Sequence, residues 1–140
     1  MRKPAKRSSA KKASAKPYHH GDLKPAVLAA AEQILETEGI DALTLRAVAR
    51  MVGGSHTAPK NHFGDIEGLF SELAAVGYRR FGAALTRAVQ GAGADPRHQL
   101  RAMGLAYVAF ARAHPGLFVL MYRSDRLDMG LPSLRDAIED

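Results

Sequence analysis

The stretch that decides the fold is Leu43–Phe63, which reads LTLRAVARMVGGSHTAPKNHF. Its first half predicts a short helix. The Thr44 hydroxyl can cap that helix, because it can accept a hydrogen bond from an amide left free in the first turn. Leu45, Val48 and Ala49 then fall on one face, as the spacing of an amphipathic helix requires.

The second half of the stretch predicts a tight turn and another short helix. Gly53-Gly54 favours the end of the first helix, because glycine accepts the positive φ of a helix exit. Ser55 is the predicted cap of the second helix, and Pro59 is tolerated in its first turn. Two short helices joined by a glycine turn form the helix-turn-helix pattern, whose second helix enters the DNA major groove. An ordinary helical hairpin inside an all-α domain has the same pattern, so the function stays open at this point.

Helical periodicity continues on both sides of this stretch. Helix 1 is predicted over Leu23–Glu38, with Asp22 as its cap and Pro25 in its first turn. Its apolar face comprises Leu23, Val27, Ala30, Ile34 and Leu35. The remaining predicted elements are a long helix 4 from the Asp65 cap to about Gln90, a helix from Asp95 to His114, a short helix over Leu117–Tyr122, a polar loop over Arg123–Leu131 and a last helix from Pro132 to Asp140. No segment has the alternation typical of a strand, so the predicted fold class is all-α.

The net charge of +6 is concentrated at the N-terminus. Residues 1–17 carry seven basic residues and no acidic one, whereas the remainder carries 13 basic and 14 acidic residues and is close to neutral. A segment of Lys, Ala, Ser and Pro buries too little surface to offset the entropy of ordering, so residues 1–17 are predicted to be a disordered basic tail. Such a tail can displace counterions from nucleic acid, or simply keep the protein in solution.

Several classes of protein are disfavoured. The chain has no cysteine, which excludes disulfides and fits a reducing cytoplasm, and it has no apolar run long enough to span a membrane. Six histidines lack the spacing of a metal site, so neither a metal nor another cofactor is expected. Gly53-Gly54-Ser55-His56 follows a helix and not a strand, so it does not match a hydrolase nucleophile elbow. We expect no enzymatic activity.

The order of motifs resembles the TetR family of bacterial transcriptional regulators. The matching residues are Leu35 and Gly39, Leu43-Thr44-Leu45-Arg46, Val48-Ala49, Gly53, Ser55, His62-Phe63-Gly64-Asp65 and Glu67-Gly68-Leu69. The resemblance covers residues 22–73, with matching spacings across three helices. Tyr18-His19-His20-Gly21-Asp22-Leu23 and His114-Pro115-Gly116-Leu117-Phe118 further resemble a subgroup with a distinctive (WHG-type) C-terminal domain.

The resemblance implies a helix-turn-helix DNA-binding domain over residues 18–66 and a partial helical effector-binding and dimerisation domain over 67–140. It implies a cytoplasmic homodimer that binds double-stranded DNA, most often as a repressor released by a small-molecule effector. In physical terms the effector binds more tightly to the state that cannot bind DNA. Family members usually continue through further helices that form the dimer interface.

Three residues depart from the family pattern. Gly54 replaces a hydrophobic residue after the turn, Lys60 replaces a tyrosine on the recognition helix, and Ile66 replaces a lysine at the start of helix 4. The usual tyrosine and lysine touch phosphate. Lys60 can still do so as a point charge, whereas Ile66 cannot. We therefore expect weaker DNA binding by the helices, or reliance on the basic tail.

The predicted DNA contacts fall into two groups. His56, Thr57 and Asn61 are candidates for base edges, since asparagine pairs with adenine in a bidentate way and a threonine methyl can touch thymine. The candidates for phosphate contacts are Thr44, Arg46, Ser55, Lys60 and His62. A solvated polar face is the alternative for the first group. Capping alone is the alternative for Thr44 and Ser55, and a structural role for His62.

An effector pocket is implied by the resemblance, and its candidate lining residues are Met103, Tyr107, Phe110, Phe118, Met121 and Tyr122. Core packing explains each of them singly. Two other functions remain open beside the regulator: a non-specific nucleic-acid-binding protein or inactive interaction module with an altered recognition helix, and a ligand-binding or enzymatic helical domain. The effector, the operator and the sign of regulation do not follow from the sequence.

Overall fold

The computed structural model describes residues 23–54 and 57–140, with side chains from Pro59 onward in the second range. These ranges are all-α and contain no strand, as predicted. Their helices are α1 (Leu23–Glu38), α2 (Leu45–Val52), α3 (Thr57–Phe63), α4 (Ile66–Gly91), α5 (Pro96–Ala113), α6 (Pro115–Met121) and α7 (Pro132–Glu139), with 3₁₀ turns at Ile40–Ala42 and Ser124–Arg126. The predicted basic tail and the predicted Asp22 and Ser55 caps lie outside the described residues.

Side-chain caps begin three of these helices where the sequence predicts them. The hydroxyl of Thr44 accepts from the Ala47 amide at 3.0 Å. Asp65 accepts from the Gly68 amide at 2.8 Å, and Asp95 from the Arg97 amide at 2.9 Å. Gly53 ends α2 with φ at +70°, a left-handed conformation that glycine adopts without strain. Local sequence therefore fixes where these helices begin and end.

The helices share one hydrophobic core, and α4 runs through it. We call α1–α3 the head, and α5–α7 with the C-terminal half of α4 the body. The first half of α4 buries Leu69, Phe70 and Leu73, and α4 packs against α1 and α3 of the head and against all three helices of the body. The same cluster contains Val48 of the head and Leu117 of the body. Residues 66 and 67, where the predicted domains meet, lie in the first turn of α4.

A second joint between head and body involves Glu36 of α1. Its carboxylate accepts hydrogen bonds from the amides of Gly116 and Leu117, at 2.8 and 2.9 Å. These amides would otherwise be unpaired in the first turn of α6. Gly116 lies so close to α1 that a Cβ there would stand 2.6 Å from the Leu35 carbonyl oxygen. α6 therefore begins at Pro115, two residues before the predicted Leu117.

The segment between α6 and α7 is less polar than the sequence suggests. Leu127 is buried in the core, although it was expected in a polar loop. The fully buried Ser71 of α4 holds this segment, because its hydroxyl donates to the Glu67 carbonyl and accepts from the Asp128 amide at 2.8 Å. Gly77 also serves close packing, since a Cβ there would stand 2.8 Å from the sulfur of Met121.

Candidate nucleic-acid interface

One side of α3 is anchored and the other is open. Pro59 and Phe63 are buried, and their spacing of four residues places them on the same face of the helix. Lys60, Asn61 and His62 lie between them in sequence and are exposed. All three side chains are therefore accessible to a ligand.

The anchor of α3 is an aromatic contact with the rest of the head and α4. Phe63 is 8% exposed and belongs to the core cluster. The ammonium group of Lys24, on α1, lies 5.7 Å from the centre of the Phe63 ring, within the range of a cation–π interaction. Ile66 is half-buried and packs against the same core, so its side chain serves packing at the start of α4.

The N-terminal half of the helix-turn-helix contributes further polar groups. Thr44 and Arg46 are both exposed, and the Thr44 hydroxyl keeps its proton available while its oxygen caps α2. Arg50 is also exposed, one helical turn after Arg46 and therefore on the same side of α2. Arg50 is not among the predicted DNA contacts, although its spacing of four residues from Arg46 indicates that both lie on the same side of α2.

The helix-turn-helix segment contains basic residues and no acidic one. The sequence contains no aspartate or glutamate between Asp41 and Asp65. Arg46, Arg50 and Lys60 have no carboxylate within 4 Å among the described residues, whose ion pairs all lie elsewhere. α2 and α3 therefore carry three exposed cations that have no acidic partner among the described residues, which favours binding of a polyanion.

Some predicted contacts fall outside the description. Ser55 and His56 are not among the described residues, and the side chain of Thr57 is not described. Gly54 is exposed, and its amide donates to the Ala49 carbonyl at 3.2 Å, so it continues the end of α2. Of the eight predicted DNA-contacting residues, five have described side chains, and all five are exposed: Thr44, Arg46, Lys60, Asn61 and His62.

The predicted effector residues lie in the body, and the four aromatic ones among them form a cluster. The ring of Tyr107 contacts that of Phe118, and Phe118 contacts Tyr122, at 5.4 and 5.0 Å between centroids. Phe110 joins them through Phe81 of α4, which lies 5.1 Å from Phe110 and 5.4 Å from Tyr107 and which sequence reasoning did not include. Tyr107 and Tyr122 are also exposed, so the cluster is open to solvent.

Hydrogen bonding fixes the tyrosines of this cluster. A side-chain hydrogen bond with Tyr107, partial burial and the electrostatic effect of Tyr107 and Tyr78 raise the pKa of Tyr122 to about 12. The Tyr78 hydroxyl donates to the Met121 carbonyl at 2.7 Å, and burial raises the pKa of Tyr78. The Tyr78 hydrogen bond ties α4 to the last residue of α6.

The remaining predicted effector residues are not gathered around a cavity. Met121 is buried in the core, whereas Met103 is exposed on α5. One cleft of about 460 Å³ lies between α4 and α5, and Phe110 is its only wall residue among the six. A second, of about 410 Å³, lies between α4 and α7 and is lined by none of the six.

Comparison with known proteins finds a similar solved structure. No known family's sequence model and no curated protein matches this chain. A solved structure from Rhodococcus sp. RHA1, described as a protein with unknown function, is similar, with 42% sequence identity and a TM-score of 0.76. The match covers 89% of this chain and 64% of that one, so this chain spans less than two thirds of that protein's length.

The described residues contain neither a cluster of metal ligands nor a single helix suited to cross a membrane. No group of three or more potential metal ligands occurs among them. None of their helices alone is long and apolar enough to cross a membrane, although α5 and α6, bent by 109° at their junction, together reach the required length and composition.

Proposed function

We propose that this protein is a sequence-specific DNA-binding transcriptional regulator of the TetR type. The observation that supports this proposal most directly is the geometry of α3. Its Pro59 and Phe63 face is held by the core, while Lys60, Asn61 and His62 are free to meet a ligand. A short helix anchored on one side and polar on the other can lie in a major groove without unfolding its support.

The proposed division of labour follows from side-chain chemistry. Asn61 reads a base edge, since its amide can accept from and donate to an adenine at once. His56 and Thr57 precede it in sequence and complete the base-reading set. Lys60, Arg46 and Arg50 neutralise phosphates, which sets the register of the protein on the duplex without reading sequence.

The proposed regulation uses two states of a homodimer. Two heads bind two half-sites about one helical turn apart. A small effector, bound in the body near the aromatic cluster around Phe118, favours the state whose heads no longer match that spacing. Effector binding in the body would reach the head through α4 and through Glu36 of α1, whose carboxylate accepts hydrogen bonds from the first turn of α6.

The substitution Asn61→Ala tests base reading. A preferred duplex is first selected from a random library with the full chain, and affinities are then measured by fluorescence anisotropy. We expect a loss of about 1–3 kcal/mol on the preferred duplex and almost none on a scrambled one, because a base contact carries the preference. Gln90→Ala, an exposed amide on α4 far from α3, is the matched control and should change neither affinity.

The competing function is non-specific nucleic-acid binding. The stretch without acidic residues between Asp41 and Asp65 favours it, since cations alone suffice for such binding. On this alternative the random library yields no preferred duplex, and Asn61→Ala weakens binding to every sequence equally or to none. Either outcome contradicts sequence-specific regulation.

A further inference from the structure

The cleft of about 460 Å³ between α4 and α5 is lined by small apolar residues and by basic ones. Its apolar lining consists of the ring of Phe110 and five alanines of the two helices. Its polar lining consists of Arg80, Arg87 and His114, and no acidic side chain lines it. Because alanines leave room close to the backbone, a flat apolar group can lie between the helices while its charged end meets an arginine.

The sequence around the cleft is poor in acidic residues. Between Glu72 and Asp125 the chain contains seven arginines and a single acidic residue, Asp95. Asp95 caps the start of α5, whereas the first cleft residue on that helix is Ala106, eleven positions and about 16 Å further along the helix. A ligand in the cleft therefore meets a positive potential, which attracts an anion.

The two arginines of the cleft differ in what they already bind. Arg87 is exposed and has no ion pair among the described residues. Arg80 is paired, since its Nη1 lies 2.5 Å from Oε1 of Glu32 on α1. Their spacing of seven residues is two helical turns, so they lie on the same side of α4, about 10 Å apart along its axis. Arginine side chains are long, and both guanidinium groups can reach an anion held between them.

The ion pair between Arg80 and Glu32 joins the body to the head. The two side chains are 46% and 20% exposed, and an ion pair this accessible to water contributes little to stability. An anion in the cleft can therefore replace Glu32 at small cost. Glu36, one helical turn later on α1, accepts hydrogen bonds from the first turn of α6. The exchange at Arg80 would thus act beside the joint that holds α1 on the body.

We propose that the cleft between α4 and α5 binds a small organic anion with a flat apolar part, and that this anion displaces Glu32 from Arg80. The apolar part lies against the alanines and Phe110, and the anionic group binds Arg87 and Arg80. Loss of the contact with Glu32 loosens α1, and with it the head. This inference rests on the proposed function where it names the class of effector, but binding of the anion requires no DNA.

An amide NMR titration of the full chain with 2-naphthoate tests the site. We expect saturable binding at or below about 1 mM, with the largest shifts on Ala84, Ala106 and Ala109 of the cleft. Neutral 2-naphthamide and the small anion acetate should each bind at least about tenfold more weakly, because each lacks either the charge or the apolar part. No saturable binding, or shifts centred on Ala137 and Ile138 of the other cleft, would overturn the proposal.

Arg87→Gln tests the role of the free arginine. It should weaken binding of 2-naphthoate at least about tenfold, because a charge-assisted hydrogen bond is lost. Arg79→Gln is the matched control, since Arg79 is an exposed arginine of the same helix that lines the other cleft. It should leave the affinity unchanged. Equal losses from the two variants would show that net charge, and not this cleft, attracts the anion.

Glu32→Gln tests the displacement at Arg80. Removing this carboxylate leaves Arg80 free, so the variant should bind 2-naphthoate at least about threefold more tightly than the wild type. Glu38→Gln is the control, because Glu38 is exposed on the same helix and forms no ion pair within the described part of the chain. Unchanged or weaker binding by Glu32→Gln would contradict the displacement. These measurements contain no DNA, so they can fail while DNA reading by α3 holds, and the reverse.

Discussion

The triple variant R46E/R50E/K60E should lose at least about 100-fold in affinity for every duplex, roughly 2.7 kcal/mol or more. Arg46, Arg50 and Lys60 are exposed and have no acidic partner among the described residues, so their positive charge is available to phosphate. Three lost phosphate contacts should also reduce the slope of log K against log salt by about 2.7. Fluorescence anisotropy at several salt concentrations measures both quantities.

The control for this variant has the same change in net charge at another place. R87E/R112E/R135E alters three arginines on α4, α5 and α7, away from the head. It should lose far less affinity and keep a salt slope close to that of the wild type. Equal losses from the two triple variants would show that overall charge, and not the surface around α3, attracts DNA. Circular dichroism should show unchanged helix content in both.

The largest effect on stability is expected from Phe70→Ala. Phe70 is 1% exposed in the first half of α4, and the guanidinium of Arg126 lies 5.1 Å from the centre of its ring. Removing the ring should lower the free energy of unfolding by about 3–5 kcal/mol, through lost burial and the cavity left behind. That is a large part of the roughly 5–15 kcal/mol that stabilises a domain. Urea unfolding followed by circular dichroism measures it.

The same experiment examines whether head and body share a core. Because α4 buries residues against both, the wild type and the variant should each unfold in one transition. Phe70→Leu is the conservative control and should cost no more than about 1.5 kcal/mol, since it keeps most of the volume. Two separate transitions, or a loss below about 1 kcal/mol in Phe70→Ala, would contradict a single core centred on α4.

The local features of this fold could be predicted from the sequence. The Thr44, Asp65 and Asp95 caps and the Gly53 exit act within a few residues of their positions, so the helix boundaries near them follow from local chemistry. The exposure of Lys60 and Asn61 is also a local feature, because it depends on helical spacing within α3. Pro59 and Phe63 have a helical spacing that already distinguishes the anchored face from the open one.

Long-range features could not be predicted in this way. The hydrogen bonds from Gly116 and Leu117 to Glu36 join residues that are 80 and 81 positions apart, and no local pattern predicts such pairing. The sequence around Leu127 is polar and predicts a loop. Leu127 is nevertheless buried, because the Ser71 hydroxyl of α4 accepts a hydrogen bond from the amide of the neighbouring Asp128. Similarly, the contacts of Phe81 with Tyr107 and Phe110 depend on how α5 packs against α4.

The most direct test of the account is an NMR titration of the full chain with its selected duplex. Amide chemical shifts report which backbone groups change environment when DNA binds. We expect the largest shifts on Lys60, Asn61 and His62 of α3, followed by Arg46 on α2. Shifts confined to α5 and α7, with the amides of α3 unchanged, would contradict the claim that the exposed side of α3 enters the duplex.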